Sequence, residues 1–230
     1  MKKYFLIYLL LVLFQAAAHA QVENTGWFFL TNTHKLTERF DLLTDVQLRS
    51  ADKVDYTQTL LLRGALNYNF NNEHSVALGY AYKGDWMHED GERTFSPENR
   101  IYQQYLFDLK AGRVELNARF RLEQRFVKEG GEVNFSQRAR AFISAQIPLV
   151  ADTGFKKGLY TGIQNEIFFN LQNKDKVNNS IFDQNRSFLS LGYRWSKLID
   201  TEFGYMYWYQ KEMDGNTKTN VWQLMLTTKF

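Results

Sequence analysis

Few residues in this 230-residue chain are of a kind that does chemistry unaided: it has four histidines and no cysteine. A serine or histidine becomes reactive only with a partner within hydrogen-bond reach. His74 and Ser75 are adjacent. Adjacent strand residues point to opposite faces, so they form a dyad only if a turn brings them together. His88 sits among Asp85, Glu89, Asp90 and Glu92. Asp85, His88 and Asp90 would make an acid–base or cation site if they converged at a barrel mouth, and a solvated acidic loop if they did not. His34 lies near a strand end without an evident partner. There is no glycine-rich phosphate loop and no serine elbow. A chain without cysteine is not expected to hold zinc or an iron–sulfur centre, and the motifs imply no cofactor or metal.

Arginine and glutamate carry the stronger pattern. They recur at every second position: Glu98 and Arg100, then Arg119, Arg121, Glu123 and Arg125, then Arg138 and Arg140. In a strand, that spacing puts each set on one face. With Ala111-Gly112 as a two-residue turn, Glu98 opposes Arg125, Arg100 opposes Glu123, Tyr102 opposes Arg121 and Gln104 opposes Arg119. With Gly130-Gly131 as the next turn, Glu123 also opposes Arg138, and Arg121 opposes Arg140. The expected result is an ionic network of Glu98, Arg100, Glu123, Arg125 and Arg138, with a row Arg100–Glu123–Arg138 across three strands. Opposite charges across a strand pair are favourable. Two roles stay open. The network fills and stiffens a narrow lumen; or Arg119, Arg121 and Arg140, which have no acid opposite them in this register, form a basic track for a small anionic solute, as arginine rings do in pores.

The elements that would position these charges are strands. Period-two alternation runs from Trp27 to the end. Phe40, Leu42, Val46 and Leu48 oppose Arg39, Asp41, Asp45, Gln47 and Arg49; Val114, Leu116, Phe120 and Leu122 oppose Glu115, Asn117, Arg119, Arg121 and Glu123. Eleven segments follow: roughly 26–35, 38–49, 56–70, 73–86, 97–110, 112–127, 133–147, 158–171, 184–196, 199–212 and 218–230. Short connections such as Asn71-Asn72 alternate with longer ones, the longest being 87–96 and 171–183. An apolar face against lipid, a polar face against a lumen, and this turn asymmetry describe an antiparallel transmembrane β-barrel. Bacterial barrels have even strand counts, so the expectation is twelve strands, with ten as the alternative; the connection 148–158, long for a periplasmic turn, is where an error could hide. A β-sandwich would bury these arginines and acids unpaired in an apolar core.

The ends of the chain fit export. Lys2 and Lys3, the apolar run 4–14 and Ala18-His19-Ala20 read as a signal peptide of residues 1–20, leaving 21–230 as a single barrel domain. The run is too short to span a bilayer as a helix. Formal charge is +3, partly from the leader, so it does not point to nucleic acid. Aromatics make up 16 % and prolines number two, while mean hydropathy is −0.44. Trp222, Leu224, Leu226 and Phe230 share one face at the end, which resembles the signal read by the outer-membrane assembly machinery. Tyr205, Tyr207 and Tyr209 point outward with Trp222, as in an interfacial girdle. Asp214-Gly215 as a turn sets Tyr207 opposite Trp222. Trp208 points inward, to line or block the lumen.

Trp27, Arg49, Pro97-Glu98-Asn99-Arg100-Ile101-Tyr102-Gln103-Gln104, Arg119-Phe120-Arg121-Leu122-Glu123-Gln124-Arg125-Phe126 and Arg138-Ala139-Arg140 together resemble a bacterial family known only as domain of unknown function 2490, over nearly the whole exported chain. The resemblance implies an exported barrel-like protein and carries no activity, ligand or catalytic residue. The expected setting is the bacterial outer membrane, reached by Sec-type export. The expected partners are its lipid, the assembly machinery and a small anionic solute. The leading function is a narrow anion-preferring channel or a structural membrane protein; an enzyme with a site at the outer barrel mouth and a surface binding protein using its outer loops are the alternatives.

Overall fold

The computed structural model describes residues 23–89 and 91–230, so residues 1–20, expected to be a signal peptide, and Asp90 lie outside the described residues. Eleven strands follow one another: β1 (Glu23–Lys35), β2 (Phe40–Ser50), β3 (Thr57–Asn69), β4 (His74–Glu89), β5 (Glu92–Ala111), β6 (Val114–Glu129), β7 (Glu132–Ala151), β8 (Gly158–Gln172), β9 (Phe182–Ser196), β10 (Ile199–Glu212) and β11 (Gly215–Lys229). Each pairs antiparallel with the next, and β1 pairs with β11 to close the barrel. The twelve- and ten-strand expectations are therefore corrected: the eleven alternating segments are the eleven strands. In an up-and-down chain with an odd number of strands, the first and last run the same way. The closing pair is accordingly parallel, in register from Glu23–Thr219 to Thr33–Lys229. The even-number rule assumes an antiparallel seam, and this barrel does not have one.

Turn chemistry fixes the register, and in two places it shifts the expected one. Gly130 and Gly131 both have positive φ, 56° and 91°, as a type I′ turn requires; Glu123 then faces Arg138 and Arg121 faces Arg140, as the sequence implies. Between β5 and β6 the turn is Gly112-Arg113, with Ala111 paired to Val114. Glycine takes the first central position at φ 63°, where a left-handed residue is needed. That two-residue slip sets Arg100 opposite Arg125, Tyr102 opposite Glu123 and Gln104 opposite Arg121. At the last hairpin Met213-Asp214 forms the turn, so Tyr205, not Tyr207, faces Trp222.

The 87–96 connection is mostly strand, since β4 and β5 run on to pair Glu89 with Glu92. The 148–158 segment hides no strand. β7 continues through Pro148 with a bulge between Pro148 and Val150, and a six-residue turn follows. Asp152 organises that turn by accepting the backbone N–H of Lys156 at 2.6 Å and of Lys157 at 3.0 Å, which holds its carboxyl below the usual aspartate range. Phe155 folds from this turn into the barrel end, 3 % exposed, edge-on to Tyr160 with ring centroids 5.4 Å apart.

The barrel is turned inside out relative to an ordinary soluble domain. Leu66, Leu78, Phe120, Ile143, Leu189 and Trp222 are exposed on its outer face, while Glu98, Arg100, Arg121, Glu123, Arg138 and Arg140 are buried within. Among the described residues, small apolar clusters interrupt the polar interior, Leu61, Ala65, Ala77, Ala81 and Tyr102 on one wall and Trp27, Phe188, Met206 and Val221 beside the seam, with Phe155, Tyr160 and Phe168 buried apart from both.

Candidate functional site

Alternation on β5 to β8 brings the network charges into one interior layer. Two arginine–glutamate–arginine groups form its frame. Glu98 receives Arg100 at 2.7 Å through both oxygens and Arg125 at 2.5 Å. Glu123, 1 % exposed, receives Arg138 at 2.8 Å and Arg140 at 2.6 Å. Thus Glu98, Arg100, Glu123, Arg125 and Arg138 do assemble, but the row Arg100–Glu123–Arg138 is corrected: the register slip hands Arg100 to Glu98, its neighbour two places back on β5. A carboxylate shared between two guanidinium forks suits the planar donor geometry of arginine.

The proposed basic track also has partners that the β5–β7 register could not reveal. Arg119 and Arg140 both donate to Glu166 on β8, each at 2.8 Å. Arg121 donates to Gln104 at 2.6 Å and lies over the Tyr102 ring, 4.2 Å from its centroid, with Glu123 at 3.7 Å. No acid stands directly opposite Arg119, Arg121 or Arg140 in the observed register either, but acids at neighbouring positions reach them, so they are not a row of free charges. Asp183 takes the other side of Arg138 at 2.8 Å, and Asp45 pairs with Arg63 at 2.9 Å.

Two residues missed as site candidates stand apart. Arg49 and Arg186 lie over the ring of Trp27, at 4.0 and 5.2 Å from its centroid. Neither has a carboxylate within ion-pair distance among the described residues. Arg49 donates to Gln47 at 2.6 Å and Arg186 to Gln184 at 3.1 Å. Arg186 also lies over Trp208, 4.8 Å away, and Trp208 meets Trp27 edge-on at 5.3 Å, so the inward parity of Trp208 does put it across the lumen. Inward parity alone could have flagged Arg49; nothing local reveals that it lacks an acid.

The layer leaves two cavities. One of about 390 Å³ is lined by Trp27, Phe29, Asp45, Glu115, Arg119 and Lys229 among others, towards the end that carries the C-terminus. The other, about 170 Å³, is lined by Arg49, Arg100, Arg138, Asp183 and Trp208 among others. Arg63, Arg140 and Arg186 line both and so form the septum between them. Over the smaller cavity lies the connection 173–181. Val177 lines the cavity, and Asn178, 3 % exposed, is tied to Asn170 at 3.0 Å and to the Lys211 carbonyl at 3.0 Å. Removing this amide in Asn178→Ala forfeits several buried hydrogen bonds, each of order 1 kcal/mol. The expected outcome is faster trypsin cleavage after Lys174 and Lys176 with the barrel itself intact, read by limited proteolysis; an unchanged cleavage rate would show that the loop does not depend on Asn178.

The other sequence candidates do not converge. Asp85 accepts from Thr59 at 2.6 Å and pairs with Lys83 inside the barrel, whereas His88 stands edge-on to Tyr56, ring centroids 4.2 Å apart. Asp90 is outside the described residues. No group of three metal-binding side chains occurs among the described residues. Ser75 is buried at 7 %, while His74 stacks on Phe107 at 4.8 Å, so the two part to opposite faces. Trp222 and Leu224 are exposed outward, Trp222 stacking on Phe203 at 5.9 Å; Leu226 is half-buried, and Phe230 is exposed with its carbonyl accepting Lys35 N–H at 2.6 Å.

An apolar outer wall, a charged inner layer and a closed ring of eleven strands define a small β-barrel with a polar, occupied lumen. Residues 24–219 match the family described as Protein of unknown function (DUF2490), and the chain belongs to that family. It is similar to an uncharacterised protein of Methylorubrum extorquens, 28 % identical over 163 residues, covering 70 % of this chain and 68 % of that one. No solved structure matches it.

Proposed function

We propose that this protein is an integral barrel of the bacterial outer membrane and that its lumen is a closed, cation-lined passage for small anions. The observation that carries the first half is the inverted polarity: exposed Leu66, Phe120, Ile143 and Trp222 outside, buried Arg100, Glu123 and Arg140 inside. Water on both sides would leave the outer wall as a large unpaired apolar surface, whereas lipid outside and a polar lumen within suit both faces. Aromatic pairs stand at both ends of the outer wall, Trp86 with Phe95 at one and Tyr193 with Trp195 at the other, where interfacial rings belong. The second half rests on the septum, whose three members are all arginines. Anion passage would require Arg186, the septum residue without a carboxylate, and the 173–181 connection to move.

The test has two parts. Fractionation of expressing cells should recover the chain in the outer membrane as a heat-modifiable barrel; recovery as a soluble periplasmic protein overturns the membrane assignment. Refolded protein in a planar bilayer should show small, intermittent conductance with a reversal potential favouring anions. Cation preference, or no conductance from inserted protein even after cleavage of the 173–181 connection, overturns the passage and leaves the charged layer as packing.

A further inference from the structure

We infer that the smaller lumen cavity is a binding site for one small oxyanion of the phosphate or sulfate class, held between Arg49 and Arg186. This deepens the cation-lined passage proposed above by giving it a defined resting place for its solute.

The inference begins with unequal pairing. Eight cations line the cavity: Arg49, Arg63, Lys83, Arg100, Arg125, Arg138, Arg140 and Arg186. The carboxylates bonded to them number six: Asp45, Asp85, Glu98, Glu123, Glu166 and Asp183. The surplus falls on Arg49 and Arg186. The acids that face them are committed elsewhere. Asp45 and Asp85, which act on Arg49, are held by Arg63 and Lys83. Glu166, which acts on Arg186, is held by Arg119 and Arg140. Two guanidinium groups near one indole ring, without a counter-charge, are costly in a poorly solvated interior. Cation–π contact with Trp27 and Trp208 offsets only part of that cost.

Donor satisfaction points the same way. Arg49 and Arg186 each keep a buried Nε–H without an acceptor. A guanidinium presents its donors as a planar fork, which fits two oxygens of a tetrahedral oxyanion better than it fits a spherical halide. The cavity of about 170 Å³ holds such an ion with a few waters, at about 30 Å³ of liquid volume per water. Phe168 and Trp208 on its wall supply the stiff, apolar setting in which a charge-assisted hydrogen bond is strongest.

The experiment uses the full exported chain refolded in a non-ionic detergent, with inorganic phosphate as the probe and sodium chloride balancing ionic strength. Rising phosphate should raise the unfolding midpoint, in step with the logarithm of its concentration once the site is filled, and calorimetry should show one site. Arg49→Met and Arg186→Met should each weaken the apparent affinity roughly tenfold or more, the worth of one charge-assisted hydrogen bond, while in phosphate-free buffer they should fold as well as the parent or better. A midpoint that follows ionic strength alone overturns the site. So does a phosphate response that survives both substitutions. If the variants unfold without phosphate, Arg125→Met, which leaves Arg49 and Arg186 in place and Glu98 still held by Arg100, must keep the parent affinity; its loss would show a diffuse basic field and overturn the two-arginine assignment. None of these readings needs conduction. Phosphate binding without conductance removes the passage and keeps the site, and anion-preferring conductance without saturable binding does the reverse.

Discussion

Replacing Glu123 by glutamine should destabilise the barrel by about 3–5 kcal/mol, the cost of leaving a buried charge without its counter-ion. The side chain keeps its shape, so the effect isolates the charge. Glu123 is 1 % exposed and takes Arg138 and Arg140 at 2.8 and 2.6 Å, with Arg121 at 3.7 Å. An amide offers the same carbonyl oxygen to one of them and turns an N–H donor towards another. Glu98→Gln disturbs a similar pair, but Arg125 beside it is more open, at 12 % side-chain exposure against 6 % for Arg138 and Arg140, so water should soften its loss. Urea titration of refolding into detergent micelles, followed by tryptophan fluorescence, measures both. A loss below about 1 kcal/mol for Glu123→Gln, the range of an exposed ion pair, would mean that the lumen is wet enough to screen the layer. The companion triple variant with Glu123→Leu, Arg138→Met and Arg140→Met should recover part of the loss despite removing three charges, because Arg138 and Arg140 are no longer left buried without Glu123; Asp183, which loses its ion pair with Arg138, and Arg121, which loses Glu123, set the limit of that recovery, while Glu166 keeps Arg119.

How far these contacts could be read from the chain depends on how far apart their partners lie. Strand identity was legible throughout, because period two is a local property and the polarity of this barrel is strongly divided. The Glu123–Arg138 pair was legible too, since Gly130-Gly131 admits one register. The Glu98–Arg125 pair was reached as well, although it forms diagonally and not directly across the strands; the partner of Arg100 was not, because Ala111-Gly112 and Gly112-Arg113 are both two-residue turns with a glycine, and only the left-handed φ of Gly112 at the first central position decides between them. Glu166 lay beyond reach altogether. It meets Arg119 two strands away, a distance set by the curvature of the closed sheet and not by pairing. The strand number failed on a rule: eleven segments were present, and parity was taken to forbid them, although a parallel seam removes the objection. Arg49 and Arg186 show the remaining gap. Their type and parity were visible, but the lack of an acid is a property of the assembled lumen.

Gly204→Ala should prevent formation of a stable barrel, with a loss beyond the roughly 1–3 kcal/mol usual for overpacking, while Gly64→Ala should be neutral or slightly stabilising. The difference is what an added methyl group meets. At Gly64 there is open space, and alanine lowers the entropy of the unfolded chain. At Gly204 the Cβ would press on the Leu189 carbonyl oxygen and lie 2.7 Å from the Ser190 Cα. Both belong to β9, the hydrogen-bonded neighbour of β10, where Gly204 faces Ser190 in register. Backbone cannot swing away as a side chain does, so the β9–β10 ladder must part or slip, and a one-residue slip would turn the charged face outward. Gly79 and Gly192 fall between these extremes. Each faces a tyrosine in register, Tyr102 and Tyr160, whose ring lies across the glycine, and a Cβ would come 2.6 Å from the ring Cε2 in either case. Those rings can tilt, but Tyr102 supports Arg121 at 4.2 Å and Tyr160 donates to Glu202 at 2.9 Å, so tilting disturbs the polar layer as well. The expected order of stability in the same urea titration is Gly64→Ala, then Gly79→Ala and Gly192→Ala, then Gly204→Ala. A Gly204→Ala barrel as stable as the parent would show that β9 and β10 are spaced more widely than this sheet geometry, and with it that the interior beside Ser190 and Glu202 is looser than a sealed lumen requires.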